Sequence, residues 1–431
     1  MNDTIIPREA ARAWKPSLLQ GLAKGLVERR LEALPLGEIT LLDGQDLKRF
    51  GRPGELRAAV TVHDPAFYLD VALGGSLGAA EAYIQGRWSC DDLTQLCRIF
   101  ARNLDVTDEL ERGWARLLTP LAKGFHWLRR NTRAGSEKNI RAHYDLGNEL
   151  FQLFLDPTMN YSCGLFESPD ASMEEASLAK MDHICRKLDL RPEDHLLEIG
   201  SGWGALAMHA AAWYGCRVTT TTISREQHRL ATERVRAAGL EGRVTVLLCD
   251  YRDLEGRFDK IVSVEMIEAV GHEFLPEYFR ACGRLLEPDG LLLIQGITMG
   301  DDRYAAYRKG VDFIQRYVFP GSCLPSVTAL CAAAGEASDL RPAHLEDLTP
   351  HYAETLRRWR GAFFQNLDAV RRLGYSEAFV RLWEYYLCYC EAGFEEGTCG
   401  DVQILFARPR RRRDTVRLGQ ARATEAACAA R

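Results

Sequence analysis

Leu196-Leu197-Glu198-Ile199-Gly200-Ser201-Gly202-Trp203-Gly204 is the stretch that decides the fold of this chain. A short apolar run ends in glycines, and an alanine-rich helical pattern follows through Tyr214. Glycines at a strand-to-helix junction let the backbone turn sharply and approach a ligand beyond the carboxyl end of the strand. Outward from this turn the same alternation repeats. Residues 217–223 are β-branched and threonine-rich, and Ser224, with Gln227 three residues on, opens a helix. Residues 244–248, 260–264 and 291–297 read as three more strands, the last after the Pro288-Asp289-Gly290 turn. Two long helical patterns, about 351–373 and 376–392, precede a final strand at 401–407. Strands alternating with helices predict an α/β fold built on a parallel, doubly wound sheet.

The glycine turn alone does not name its ligand, because Gly200, Gly202 and Ala205 also satisfy a dinucleotide pattern. A dinucleotide site places an acid about 20 residues on, for the ribose hydroxyls. Here that strand ends Thr219-Thr220-Thr221-Thr222-Ile223, without a carboxylate. Asp250 instead follows the third strand, with Tyr251 and Arg252 after it. That arrangement suits a carboxylate accepting from an adenine amino group beside an aromatic ring; a turn or cap role for Asp250 is the alternative. An adenosyl ligand without pyrophosphate fits better than NAD.

Composition narrows the partners. A formal net charge of -5 and a pI near 6.1 speak against a nucleic-acid binder. Residues 1–16 hold no apolar core of the signal-peptide kind, and no window approaches the roughly 18 apolar residues of a membrane span. Membrane contact is therefore expected to be peripheral and the location cytoplasmic. The 13 cysteines are scattered without zinc-ligand spacing, so reduced thiols and no metal site are expected. Residues 1–104 read as a small α+β domain. Residues 105–141, rich in Trp and Arg, read as an amphipathic helix that faces lipid or packs on the next domain. Residues 142–409 carry the α/β pattern, and residues 410–431 read as a disordered basic tail.

Beyond these patterns, Ala142-His143-Tyr144-Asp145-Leu146-Gly147-Asn148-Glu149-Leu150-Phe151, Tyr161-Ser162-Cys163 and Met266-Ile267-Glu268-Ala269-Val270-Gly271 stand in order along the chain. So do Phe319-Pro320-Gly321-Ser322-Cys323-Leu324-Pro325-Ser326 and, earlier, Glu81-Ala82-Tyr83-Ile84-Gln85-Gly86-Arg87-Trp88. Together they resemble cyclopropane-fatty-acyl-phospholipid synthases and the related mycolic acid cyclopropane synthases over nearly the whole chain. The resemblance implies a class I methyltransferase sheet with a helical cap, an N-terminal domain for lipid engagement and dimerisation, and a phospholipid substrate with an unsaturated acyl chain. It implies S-adenosylmethionine contacts at Tyr161, Ser162, Gly200, Ser201, Gly202, Thr222, Gln227, Tyr251 and Arg252, with Asp250 beside them.

The resemblance further implies a methyl transfer to the alkene through a carbocation, with bound bicarbonate as the base that closes a cyclopropane ring. The bicarbonate pocket would comprise Cys163, Glu268, Gln295, the backbone amide of Ile297 and Tyr352, with Tyr144, Phe151 and Tyr161 as aromatic faces for the cation. Gln295 departs from the histidine usual at its position, and an amide cannot take a proton. Ring closure is the expected outcome, with a methyl- or methylene-branched chain as the alternative. Two further classes remain: a small-molecule methyltransferase on the same sheet, and a non-catalytic lipid-binding protein.

Overall fold

The computed structural model describes residues 18–104 and 147–409. Residues 105–141, the 410–431 tail and Tyr144 therefore lie outside the described residues. A helix, Leu18–Glu32, leads into four strands: β1 (Glu38–Asp43), β2 (Asp46–Gly51), β3 (Arg57–Val62) and β4 (Trp88–Cys90). They form a sheet in the order β2-β1-β3-β4. Alternation sets its inner face: Ile39 and Leu41 of β1, and Ala58, Val60 and Val62 of β3, are buried. β2 was not anticipated, because its residues are exposed up to Phe50. The helices Ala66–Ile84 and Leu93–Arg102 complete this unit.

The larger sheet has seven strands: β5 (His195–Ile199), β6 (Arg217–Thr222), β7 (Val244–Leu248), β8 (Phe258–Val264), β9 (Leu286–Met299), β10 (Arg341–Asp347) and β11 (Cys399–Ala407). Their order is β10-β11-β9-β8-β5-β6-β7. The doubly wound sheet that the sequence predicts is present, and within it β11 runs antiparallel to both β9 and β10. β10 was also unanticipated; it is an edge strand, mostly exposed and holding Pro342, so its apolar signal is faint. The chain reverses its direction of travel across the sheet between β5 and β8, which opens a crevice at their carboxyl ends.

The two faces of β11 divide by alternation. Val402, Ile404 and Phe406 join one core cluster, and Leu405 joins the other with Leu293 and helix Met173–Lys187. Asp401 and Gln403 share the face of Leu405, so the second core carries polar groups toward the crevice. The expected helix at about 351–373 is two helices, Thr349–Gln365 and Leu367–Arg372, meeting at Asn366. Helix Glu377–Glu395 starts where Ser376 accepts a hydrogen bond from the Phe379 amide. It joins the two sheets: Tyr83 donates to Glu384 at 2.6 Å, and Arg98 to Glu396 at 2.6 Å. One apolar cluster runs continuously from Ile39 and Trp88 to Trp383 and Tyr386. Among the described residues no helix is long and apolar enough to cross a membrane.

Candidate active site

The turn after β5 holds Gly200 at φ 100° and Gly202 at φ 47°, conformations that side chains rarely tolerate. The amides of Gly200 and Ser201 donate to the Thr221 carbonyl at 3.0 and 2.9 Å, tying the turn to the end of β6. There Thr222 Oγ1 donates to Gln227 Oε1 at 2.8 Å and accepts from the Ser224 amide at 3.1 Å. Beyond β7, the Asp250 carboxylate accepts from the Arg252 amide and guanidinium, at 3.0 Å and 2.9 Å. Asp250 thus caps the short turn Tyr251–Asp253 and at the same time faces the crevice.

All the residues assigned to the cofactor (Tyr161, Ser162, Gly200, Ser201, Gly202, Thr222, Gln227, Asp250, Tyr251 and Arg252) line one cavity of about 1200 Å³. That exceeds the roughly 300–1,000 Å³ of an ordinary small-molecule site. Ser162, Ser201, Thr222 and Gln227 are buried polar side chains at its rim, and buried hydrogen-bonding groups of this kind want a polar ligand. The set fits an adenosyl group, its ribose hydroxyls and an amino-acid tail. The opposite end is apolar and runs into the N-terminal unit, between Ile39, Leu41, Val60, Phe67, Trp88 and Leu96.

Between these ends stands a residue that the sequence reading passed over. Glu265 directly follows β8 at φ 48°, a left-handed conformation that costs a non-glycine residue of order 1–3 kcal/mol. Its Oε1 accepts from the Cys163 amide at 2.8 Å and from Gln295 Nε2 at 2.9 Å. Its Oε2 accepts from the Tyr352 hydroxyl. The structure therefore brings Cys163, Gln295 and Tyr352 together, as expected, but around a carboxylate of the chain itself. Glu265 lines the cavity, whereas Cys163 and Gln295 sit behind it, each 0% exposed. Gln295 is thus not placed to touch a ligand directly.

Glu268 and Ile297 are also adjacent, the Ile297 amide donating to Glu268 Oε1. Glu268 Oε2 is buried with no partner among the described residues. Burial, and then the nearby charge of Glu265, push the Glu268 carboxyl up to about 8. Burial also raises Glu265, against which Lys180 and its three donors act. Asp401, which accepts from Gln295 Nε2 at 3.1 Å, is pushed well above the carboxylate range by burial and by Glu265 and Glu268. Lys180 is the buried cation here; its Nζ donates to Ser162 at 2.5 Å, and burial lowers its pKa. Neither Lys180 nor Glu265 carries a motif. A carboxylate just past the carboxyl end of a central strand was nonetheless a legible signal for Glu265.

The Cys163 thiol donates to the Gly164 carbonyl at 3.2 Å, and burial holds its pKa well above the ordinary thiol value. A thiol so protonated is no nucleophile. Of the proposed aromatic faces, Tyr161 lines the cavity, its hydroxyl 2.9 Å from that of Tyr386. Phe151 does not serve as expected; it is fully buried between Trp203 and Tyr161, with ring centroids 5.0 and 5.1 Å away. Phe319 and Tyr386 occupy the cavity wall instead.

Residues 131–404 match the family described as mycolic acid cyclopropane synthetase. The chain is 41% identical over 384 residues, 87% of its length and 88% of the relative's, to the tuberculostearic acid methyltransferase UfaA1 of Mycobacterium tuberculosis (strain ATCC 25618 / H37Rv). It is 36% identical over 363 residues, 82% of its length and 89% of the relative's, to the cyclopropane-fatty-acyl-phospholipid synthase of Escherichia coli (strain K12). Among solved structures it is similar to the mycolic acid cyclopropane synthase CmaA1 complexed with SAH and CTAB. That likeness has a TM-score of 0.59 and 33% identity, and covers 63% of this chain and 98% of CmaA1. With a matched span of more than half its length and a cavity suited to the adenosyl group, this chain belongs to the mycolic acid cyclopropane synthetase family and is an S-adenosylmethionine-dependent methyltransferase.

Proposed function

We propose that the enzyme adds a methyl group to the double bond of an unsaturated phospholipid acyl chain, uses Glu265 as its base, and leaves a methylene-branched chain. One observation carries this reading: the Glu265 carboxylate accepts from the Cys163 amide, Gln295 and Tyr352, the donors that the resemblance assigns to bicarbonate. A tethered carboxylate takes over the part of a bound anion, so bicarbonate becomes dispensable.

Bound S-adenosylmethionine supplies an electrophilic methyl group on a sulfonium. The apolar reach of the cavity keeps water from the alkene, and the Tyr161 and Phe319 rings face a cation without reacting with it. The alkene's electron pair would form the new C–CH3 bond as the S–CH3 bond breaks and S-adenosylhomocysteine leaves, and the adjacent carbon would be left cationic. A hydride shift moves the positive charge to the branched carbon. Glu265 then takes one proton from the new methyl group, and that C–H pair becomes the exocyclic double bond. Ring closure would lose the same proton without the hydride shift. Two points support the branch over the ring expected from the resemblance: the base is fixed in the chain beside Gln295, and the 41% identical relative is named a methyltransferase. By the same resemblance the enzyme works as a homodimer at the cytoplasmic face of a membrane.

The test is incubation with unsaturated phospholipid vesicles and 13C-methyl-labelled S-adenosylmethionine in carbonate-free buffer, followed by NMR of the acyl chains. Vinylidene signals are expected at an undiminished rate. High-field ring protons would overturn the branched product, a requirement for added bicarbonate would overturn Glu265 as base, and no label in lipid would overturn the substrate class.

A further inference from the structure

The buried polar groups behind the cavity do not end at Gln295. Gln295 of β9 is the Cα partner of Gln403 of β11, which is the partner of Glu346 of β10, so the three stand in one row across the sheet. Gln403 Nε2 donates to Gln295 Oε1 at 3.0 Å, and Gln403 Oε1 accepts from Lys187 Nζ at 2.7 Å. Lys187, the last residue of helix Met173–Lys187, also donates to Glu346, whose Oε2 lies 2.6 Å from His183 Nε2. The glutamines are 0% and 1% exposed, whereas Glu346 is about one-third exposed. A hydrogen-bonded row therefore joins Glu265 to the solvent-exposed edge of the sheet. The next residues toward the strand ends on this face are Leu293 and Leu405, so apolar packing alone accounts for neither glutamine.

The row has a direction. An ammonium only donates, so Lys187 dictates that the Gln403 oxygen faces it and the Gln403 nitrogen faces Gln295. Gln295 must then present its oxygen to Gln403 and its nitrogen to the carboxylates of Glu265 and Asp401, at 2.9 and 3.1 Å. Turning either amide over sets like against like, and turning Gln295 aims its carbonyl oxygen at the Glu265 carboxylate. Such a mispaired buried amide leaves its polar groups unsatisfied, and the cation at the far end of the row disfavours it.

We propose that Lys187 and Gln403 are positioning residues for the reaction: they lock the Gln295 N–H toward Glu265 and so keep that carboxylate in its proton-accepting form. The inference rests on Glu265 as base. Neither residue touches Glu265. The groups that do face it are the Cys163 amide and Tyr352 as donors, Lys180 as a cation, and the carboxyls of Glu268 and Asp401, whose ionisation the Glu265 charge opposes. Among the described residues, none of these groups is a hydrogen-bond partner of Lys187 or Gln403. With the lock removed, Gln295 is free to turn its oxygen to Glu265, and the carboxyl then holds a proton to higher pH.

The experiment uses the full-length enzyme with unsaturated phospholipid vesicles and S-adenosylmethionine, and records kcat against pH for wild type, Gln403→Leu, Lys187→Met and Lys187→Arg. Gln403→Leu and Lys187→Met should lose on the order of tenfold to a hundredfold in kcat at neutral pH. Their acid limb should move up by about one pH unit. Lys187→Arg, which still only donates, should restore both, and the S-adenosylmethionine Kd should stay within about twofold throughout. An acid limb unmoved in both loss variants, whatever happens to kcat or Tm, overturns the proposal. Where Gln403→Leu does not fold, Lys187→Met decides. A second readout needs no turnover: the 13C-carboxyl resonance of Glu265, assigned by its absence in Glu265→Gln, should titrate higher in Lys187→Met than in wild type. A wild-type enzyme inactive on lipid would overturn the proposed function, while this titration would still decide the role of Lys187.

Discussion

The backbone N–H of Cys163 meets the Glu265 carboxylate at 2.8 Å across 102 residues of sequence, while the Cys163 thiol turns away to the Gly164 carbonyl. The residue serves the site through its peptide group, and its side chain is a small buried apolar body.

Replacing the thiol should therefore matter little. Cys163→Ser is expected to keep kcat within about tenfold of wild type, since the amide donor survives and the hydroxyl can use the same carbonyl acceptor. A thiol-alkylating reagent should leave Cys163 unlabelled in the native enzyme at neutral pH, because burial keeps the thiol protonated. Mass spectrometry of the alkylated protein, beside steady-state rates, checks both; rapid labelling at Cys163 would contradict them.

Removing the base should separate chemistry from binding. Glu265→Gln is expected to lower kcat by about 10²–10⁴-fold, with the S-adenosylmethionine Kd by calorimetry nearly unchanged. Glu265→Gly also opens space among the three donors and relieves the left-handed backbone. Added bicarbonate should restore part of its activity while leaving wild type unaffected. A wild-type rate that rises with bicarbonate would show that Glu265 is not the working base.

Glu268 should leave a pH signature in stability. Burial and the Glu265 charge raise its folded-state pKa to about 8, above the ordinary 4.5 of the unfolded chain. Between those values the folded protein holds a proton that the unfolded chain has released, so stability falls as pH rises from about 4.5 to 8. Glu268→Gln removes this penalty. Its Tm should match wild type near pH 5 and exceed it by several degrees near pH 8.5, as read by thermal unfolding across that range. A pH-independent difference would mean that Glu268 carries no such shift.

Thr222 joins the end of β6 to Gln227 and to the Ser224 amide. Thr222→Val removes both bonds from a buried position. The S-adenosylmethionine Kd should rise on the order of tenfold with kcat at saturation nearly preserved, the pattern of binding lost equally from ground and transition states. A fall in kcat at unchanged Kd would place Thr222 in the chemistry instead.

Most of the large sheet was legible because its strands are apolar runs closed by glycine or threonine turns, and the Gly200–Gly204 turn pointed directly at the crevice. The edge strand Arg341–Asp347 was not, because an exposed strand holding Pro342 lacks the alternating signal. Cys163, Gln295 and Tyr352 stand together as expected, and the residue among them that the sequence reading did not name is Glu265. Glu265 falls two residues after Ser263 in an otherwise apolar run, where one acid resembles any cap residue. Its left-handed backbone shows only in three dimensions. Gln403 and Lys187 were invisible for a different reason: their partners lie 108 and 216 residues away, and no local pattern announces contacts across a sheet.

Helix Glu377–Glu395 has two edges with different duties. Tyr385, Tyr386 and Tyr389 line the cavity, while Glu391, Glu395 and Glu396 hold Thr94, Arg98 and Arg102 of the N-terminal unit. The cavity wall and the seam share this helix, so any free energy by which a bound ligand favours the closed seam equals the free energy by which closure favours the ligand. Salt that screens the partly exposed arginine–glutamate pairs is therefore expected to weaken binding in the apolar reach of the cavity from a distance, so that ionic strength acts on a ligand that carries no charge at the point of contact.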